Sequence, residues 1–174
     1  MPRKLLLTSF QTWLPHQISN SSDDLLENIS QHESFAHSLS YLRQLPVDIL
    51  QASSRVIAKI ENLRPDSILL CGMAEKRTQL TVESCATCRD ALLKTSVDLN
   101  QLMAGLAATE ISDNAGKFVC EGLYYQVLKH LQGRNFKMNC IFVHVPQLTL
   151  ENSDSVVADF NLLINKLALL GFRF

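Results

Sequence analysis

The sequence predicts an α/β fold: a single-domain three-layer α/β/α sandwich with a mostly parallel mixed sheet, spanning residues 1–174. Three observations carry this expectation. Short apolar runs alternate with amphipathic segments through most of the chain, as strands alternate with helices in a covered sheet. Stretches such as "KLLLT", "SILLCG" and "MNCIFVHVP" are nearly all apolar and end in polar residues, Gly or Pro, as buried strands do. A length of 174 residues, 47% hydrophobic and 19% charged, suits one domain with a sizeable core.

The elements follow in order. Residues 4–8 form a buried strand and 9–24, "SFQTWLPHQISNSSDD", a loop rich in Ser, Asn, Pro and Asp. A helix begins near Ser22, with Leu25, Leu26 and Ile29 on one face. Residues 38–47 alternate as a strand, and Ile49, Leu50, Val56, Ile57, Ile60 and Leu63 form a helical stripe that ends at Pro65. A strand over 67–72 stops at Gly72, and 79–84 alternates again with Leu80 and Val82 on one side. The stretch 84–97, "SCATCRDALLKTSV", carries no readable period. Asp98 caps a short helix over 98–107, "ATEISD" is a short strand, and a helix over 118–133 ends at Gly133. The strand 138–146 stops at Pro146, and an amphipathic helix over 153–172 closes the chain. In such sheets, sites lie in the loops after strand carboxyl ends. Those are the loops after 4–8 and 67–72, the turn at 114–117, and the end of 138–145.

A net charge of −1 gives no basic face, so nucleic acid is not an expected partner, and no membrane partner is expected. No apolar run reaches the length of a signal-peptide core or a membrane span, so a cytoplasmic protein is expected, with its five cysteines as free thiols. Cys85 and Cys88 form a C-x-x-C, but no second ligand pair exists for zinc, so no metal or cofactor is expected. His16, His32, His37 and His130 read as solvated; Phe35, Phe136, Phe142, Phe160, Phe172 and Phe174 read as core or edge packing.

Three polar residues stand where packing does not ask for them: Cys120 at a helix start, His144 inside an apolar strand, and Glu83 at a strand end. A thiol needs a base to act as a nucleophile, and a carboxylate on the base's other nitrogen fixes its tautomer. A helix start and a histidine partner both lower a thiol pKa. The types suit acyl transfer. Taken singly, a cysteine in an apolar segment is more often core, and a strand histidine more often structural.

The segment "NAGKFVCEGLYY" resembles the active-site segment of the pyroglutamyl peptidase type I (pyrrolidone-carboxylate peptidase) family, Ala-Gly-x-Phe-Val-Cys. "FVHVPQL" is similar to the family's Phe-Ile-His-Val-Pro, and "RTQLTVESCA" to its Arg-Thr-x-Ile-x-x-Glu-Arg-Val-Ala. "KLLLTSFQTW" and "RPDSILLCGMA" resemble its opening Thr-Gly-Phe segment and its Pro-Asp-strand-Gly segment. The order agrees along nearly the full length. The resemblance implies Cys120 as nucleophile, His144 as base and Glu83 as the third triad member. It implies Phe10, Trp13, Met73 and Phe118 around the substrate, a peptide with a blocked N-terminus, no cofactor, and leaves a homo-oligomer open.

The chain also departs from the pattern. Its opening loop lacks the family's glycines, and Met73 stands where the family places a Gln that reads the pyroglutamyl ring. Glu75 and Lys76 replace glycines, Ser84 follows Glu83 in place of Arg, and the segment 84–97 is shorter than its counterpart. The expected activity is therefore a cysteine omega-peptidase of weak or altered action on pyroglutamyl or other small N-blocked amides. The alternative is a non-catalytic homologue that keeps the fold as a binding or structural protein.

Overall fold

The structure, a computed structural model, describes residues 1–170. The strands are β1 (Lys4–Phe10), β2 (Ser38–Leu45), β3 (Ser67–Met73), β4 (Leu80–Glu83), β5 (Cys85–Cys88), β6 (Ala91–Lys94), β7 (Thr109–Ser112) and β8 (Asn139–Val145). The helices are α1 (Ser21–His32), α2 (Ile49–Leu63), α3 (Leu99–Met103), α4 (Val119–Gly133) and α5 (Ser153–Leu169). Six strands form one sheet in the order β2-β1-β3-β8-β4-β7, while β5 and β6 pair as a separate hairpin. Every pairing in the main sheet is parallel except β4 against β8. The sheet is thus mixed and mostly parallel, as the sequence predicts.

Strand parity sorts the side chains onto the two faces. Leu5, Leu7, Leu69, Val82, Val143 and Val145 join one cluster with the apolar stripes of α1 and α5. Leu6, Phe10, Leu70 and Phe142 join the other, with α2 and α4. Strands β1, β3 and β8 are buried on both faces, which is why they read as continuous apolar runs. The β2 strand, at the sheet edge, is only half-buried along most of its length and so keeps alternating polarity.

Local chemistry sets the helix ends. Asn20 Oδ1 accepts the Ser22 N–H at 3.0 Å and starts α1. Asp48 accepts the Gln51 N–H at 2.8 Å to start α2, which ends at Arg64 in the left-handed region just before Pro65. The α5 helix ends at Leu169, so the part of the expected closing helix at 171–172, and Phe172 and Phe174, lie outside the described residues.

Three expectations need correction. The short helix expected over 98–107 spans only Leu99–Met103, and the chain leaves it through Gly105 at positive φ. Gly72 does not stop a strand: β3 runs through it to Met73. Nor is His130 solvated; its ring packs on Phe136 and its Nε2 lies 3.1 Å from Glu61. Among the described residues, no helix is long and apolar enough to cross a membrane.

Candidate active site

The β4 and β8 strands meet antiparallel, with Thr81 opposite His144 and Glu83 opposite Phe142. Thr81, Glu83, Phe142 and His144 therefore share the sheet face that carries α2 and α4. The diagonal from Glu83 to His144 closes as a hydrogen bond: Glu83 Oε1 lies 2.7 Å from His144 Nδ1. Both side chains are almost wholly buried. A proton on Nδ1 donated to the carboxylate leaves Nε2 as the ring's acceptor.

Cys120 reaches this pair from above. The β3 strand lies beside β8 with Gly72 level with His144. A Cβ added at Gly72 would fall 2.5 Å from Cys120 Sγ and 3.0 Å from Phe142 Cζ. The thiol thus sits against the bare Cα of the residue next to His144, on the same face. Only glycine admits it there. Cys120 is in the first turn of α4, whose N-cap residue Phe118 makes no side-chain capping bond. The first-turn N–H groups have no intrahelical partner and face the start of the helix.

The thiol's ionisation differs from expectation. Burial pushes Cys120 up to about 12, the Glu83 charge adds to this, and the Arg77 charge opposes it. A helix N-terminus supplies about 0.3–1 kcal/mol, less than a tenfold change in ionisation, so it does not offset that burial. At neutral pH, Cys120 rests as a thiol. Cys140 and Cys71 are buried, and loss of water raises both above the ordinary thiol value. Cys88 is exposed and Cys85 buried. Three residues apart on one strand, they point to opposite faces of β5 and do not form a pair.

Glu83 experiences opposing effects. Burial raises its pKa; the hydrogen bond from His144, the nearby Ser112 hydroxyl and the charges of His144 and Arg77 lower it, and the net result is below the ordinary carboxyl value. Arg77 was quoted in the sequence motif but given no role there. Its Nη1 donates to Glu83 Oε1 at 2.5 Å and also to Thr81 Oγ1, and its Nη2 donates to the Asn114 carbonyl at 2.7 Å. Its position six residues before Glu83, across a turn, gives no periodic signal.

A cleft of about 260 Å³ opens beside the thiol, lined by Phe10, Trp13, Val47, Met73, Val119 and Cys120 among others. It is smaller than the roughly 300–1,000 Å³ of drug-sized sites, so it suits a small acyl group. Phe118 stacks on Trp13 with ring centroids 4.7 Å apart, but it is half-exposed and does not itself line the cleft. Gln17, Asn20 and Glu75, three of the cleft's polar side chains, are engaged within the protein. Gln17 accepts the Trp13 and Leu14 N–H groups and donates to Glu75 at 2.8 Å. Asn20 accepts from Ser22 and donates to the Gln11 carbonyl. Met73 Sδ accepts the Ser21 N–H at 3.3 Å. A larger groove of about 620 Å³ over α1, lined by Asp23, Asp24, Glu27 and Arg43 among others, contains none of Cys120, His144 and Glu83.

The hairpin of β5 and β6 occupies the unreadable stretch and packs on α4. Thr87 donates through its N–H and hydroxyl to Glu121, the residue after Cys120.

The family described as pyroglutamyl peptidase matches residues 92–162, which include Cys120 and His144. The pyrrolidone-carboxylate peptidase of Thermoanaerobacter pseudethanolicus is 26% identical over 174 residues, covering 85% of this chain and 84% of the relative. That of Vibrio vulnificus (strain YJ016) is 29% identical over 181 residues, covering 88% and 82%. In fold, pyroglutamyl peptidase I of Bacillus amyloliquefaciens superposes with a TM-score of 0.85 at 18% identity, covering 98% of this chain and 97% of that one. Pyrrolidone carboxyl peptidase of Thermococcus litoralis gives 0.80 at 17% identity, covering 96% and 93%. These relationships support a peptidase, and the chain is similar to pyroglutamyl peptidases in sequence over most of its length and in fold.

Proposed function

We propose that this protein is a cysteine peptidase that removes a pyroglutamyl or similar small N-blocked acyl group from the start of a peptide. The observation that supports it most is one juxtaposition. His144 is bound to Glu83 at 2.7 Å, and Cys120 sulfur rests on Gly72, the residue beside His144.

In this reading, the acyl group enters the cleft beside Phe10 and Trp13. His144 Nε2 takes the Cys120 proton as sulfur attacks the carbonyl carbon, so no standing thiolate is needed. Glu83 stabilises the imidazolium without taking its proton. The first-turn N–H groups of α4 receive the oxyanion; one such donor is worth about 2.7–4 kcal/mol in other enzymes. His144 then protonates the leaving amine, and the C–N bond breaks to leave a thioester on Cys120. Water, deprotonated by His144, attacks the thioester; its collapse releases the acid and returns the proton to sulfur. The test is hydrolysis of a chromogenic pyroglutamyl amide, with Cys120→Ala as control. Equal rates for the two proteins would end the proposal.

A second reading, broad action on small N-blocked amides, rests on Met73. Its sulfur is occupied by the Ser21 N–H, and it lacks the amide that the family's Gln offers a lactam. One neutral hydrogen bond is worth about 0.5–1.5 kcal/mol, so ring selectivity should fall by roughly two- to tenfold. Comparing pyroglutamyl with prolyl amides decides this; sharp rejection of the prolyl analogue would rule out the broad reading.

A further inference from the structure

We propose that Arg77 is a positioning residue that locks the Glu83–His144 pair to the loop carrying the nucleophile. This rests on the reading of Cys120, His144 and Glu83 as one reactive unit. Arg77 lies between β3 and β4, outside all three. Its guanidinium spans two elements: one nitrogen holds Glu83 and Thr81 on β4, the other holds the carbonyl of Asn114. Asn114 begins the turn that leads through Gly116 to Cys120. Glu83 Oε1 therefore accepts from Arg77 at 2.5 Å and from His144 at 2.7 Å at once.

Two consequences follow from this geometry. The planar fork fixes the distance between the carboxylate and the nucleophile loop, which a lysine, a single mobile point charge, cannot do. The positive charge also compensates Glu83. A bare carboxylate this close to Cys120 would oppose formation of a thiolate; with Arg77 attached, the pair presents little net charge. The other titratable groups facing Glu83 and Cys120 are His144 from β8 and Tyr124 from α4, whose hydroxyl donates to the Glu83 carbonyl. Cys85 on β5, Glu110 level with Thr81 on β7, Cys71 on β3, and Glu75 and Lys76 in the cleft beside Cys120 also lie nearby. Arg77 is the permanent cation bonded to Glu83. Removing a cation raises the pKa of every acid near it.

The experiment separates charge from fork and needs no substrate. Alkylation of Cys120 by iodoacetamide is followed by site-resolved mass spectrometry at fixed pH 8 in wild type, Arg77→Met and Arg77→Lys. In Arg77→Met, the loss of the neighbouring charge, softened because Arg77 is partly exposed, should slow Cys120 labelling about 3–10-fold. Cys88 serves as the internal control and should label at an unchanged rate. Arg77→Lys should restore Cys120 labelling to within about twofold. Where turnover is measured, both pH limbs should move up in Arg77→Met and return in Arg77→Lys, while kcat stays reduced in Arg77→Lys because the Asn114 bond is lost. Unchanged Cys120 labelling in Arg77→Met overturns the proposal, as does a slowing that Arg77→Lys fails to reverse. Should Arg77→Met not fold, Arg77→Gln takes its place with the same expectation. A wild type that hydrolyses no pyroglutamyl amide refutes the function proposed above, whereas labelling still decides the role of Arg77.

Discussion

Substituting Gly72 by alanine should damage the reaction far more than the fold. The new methyl carbon would lie 2.5 Å from Cys120 Sγ and 3.0 Å from Phe142 Cζ. Non-bonded contact begins at about 3.5–4.0 Å, so sulfur must withdraw by about 1 Å or more. Overpacking of this kind costs about 1–3 kcal/mol of stability. A displacement of about 1 Å at a reacting atom costs about 10²-fold in rate. Gly122→Ala is the matched control. Gly122 is in the same helix as Cys120, and its Cβ would fall 2.6 Å from Ile49 Cδ1, 2.7 Å from Cγ1 and 3.0 Å from Cγ2, an overpacking that points away from the thiol and onto α2. The gain in helix propensity, about 0.8–1.0 kcal/mol, offsets part of that clash. Thermal melts and kcat/KM for a pyroglutamyl amide should therefore show both variants folded but destabilised, Gly72→Ala about 10²-fold slower and Gly122→Ala close to wild type in rate. A Gly72→Ala protein within threefold of the wild-type rate would refute the placement of the thiol against β3.

Glu83→Gln should fold yet lose up to about 10⁴-fold in turnover, since the imidazolium loses its carboxylate; unchanged turnover removes Glu83 from the mechanism. Alkylation at neutral pH should label exposed Cys88 readily and leave Cys71 and Cys140 untouched, while Cys120 labelling should keep rising above pH 9, because burial holds that thiol up to about 12. A plateau for Cys120 below pH 7 would instead mean a resting thiolate. Asp23, whose pKa burial raises but whose bonds from Arg43, Ser9 and Gln44 bring it below the usual carboxyl value, should stabilise the fold at neutral pH. A lowered folded-state pKa means that this stability is present above the ordinary carboxyl pKa of about 3.9 and lost as pH falls through the lower folded value. Asp23→Asn should then cost about 1–3 kcal/mol at pH 7 and progressively less below pH 4; a constant gap in melting temperature across that range would contradict the sign.

The sequence was most legible where a residue's environment repeats along the chain. Leu5, Leu7, Leu69 and Val143 lie in doubly buried strands, and their apolar runs say so. Leu123, Val127, Leu128 and Leu131 mark α4 by their spacing. The hairpin at 85–94 escaped because its strands are four residues each and packed on one side only, leaving Thr87, Cys88, Ala91 and Leu92 exposed. Gly72 looked like a terminator because glycine's usual message is a break; its reason is a sulfur atom that belongs to a helix 48 residues later. Cys120 was legible in position but not in ionisation, since helix position is local and burial is tertiary. Arg77 shows the same limit, as its partners at 81, 83 and 114 meet only when β4 lies beside the turn before α4.

The central claim is that Cys120 sulfur becomes covalently acylated. Rapid acid quenching of the protein with a pyroglutamyl ester or amide, followed by peptide mass spectrometry, tests it directly. The expected result is a pyroglutamyl adduct on the peptide containing Cys120, present in wild type, weaker in Glu83→Gln and absent in Cys120→Ala. Hydrolysis that proceeds with no adduct on Cys120, or persists in Cys120→Ala, would contradict it.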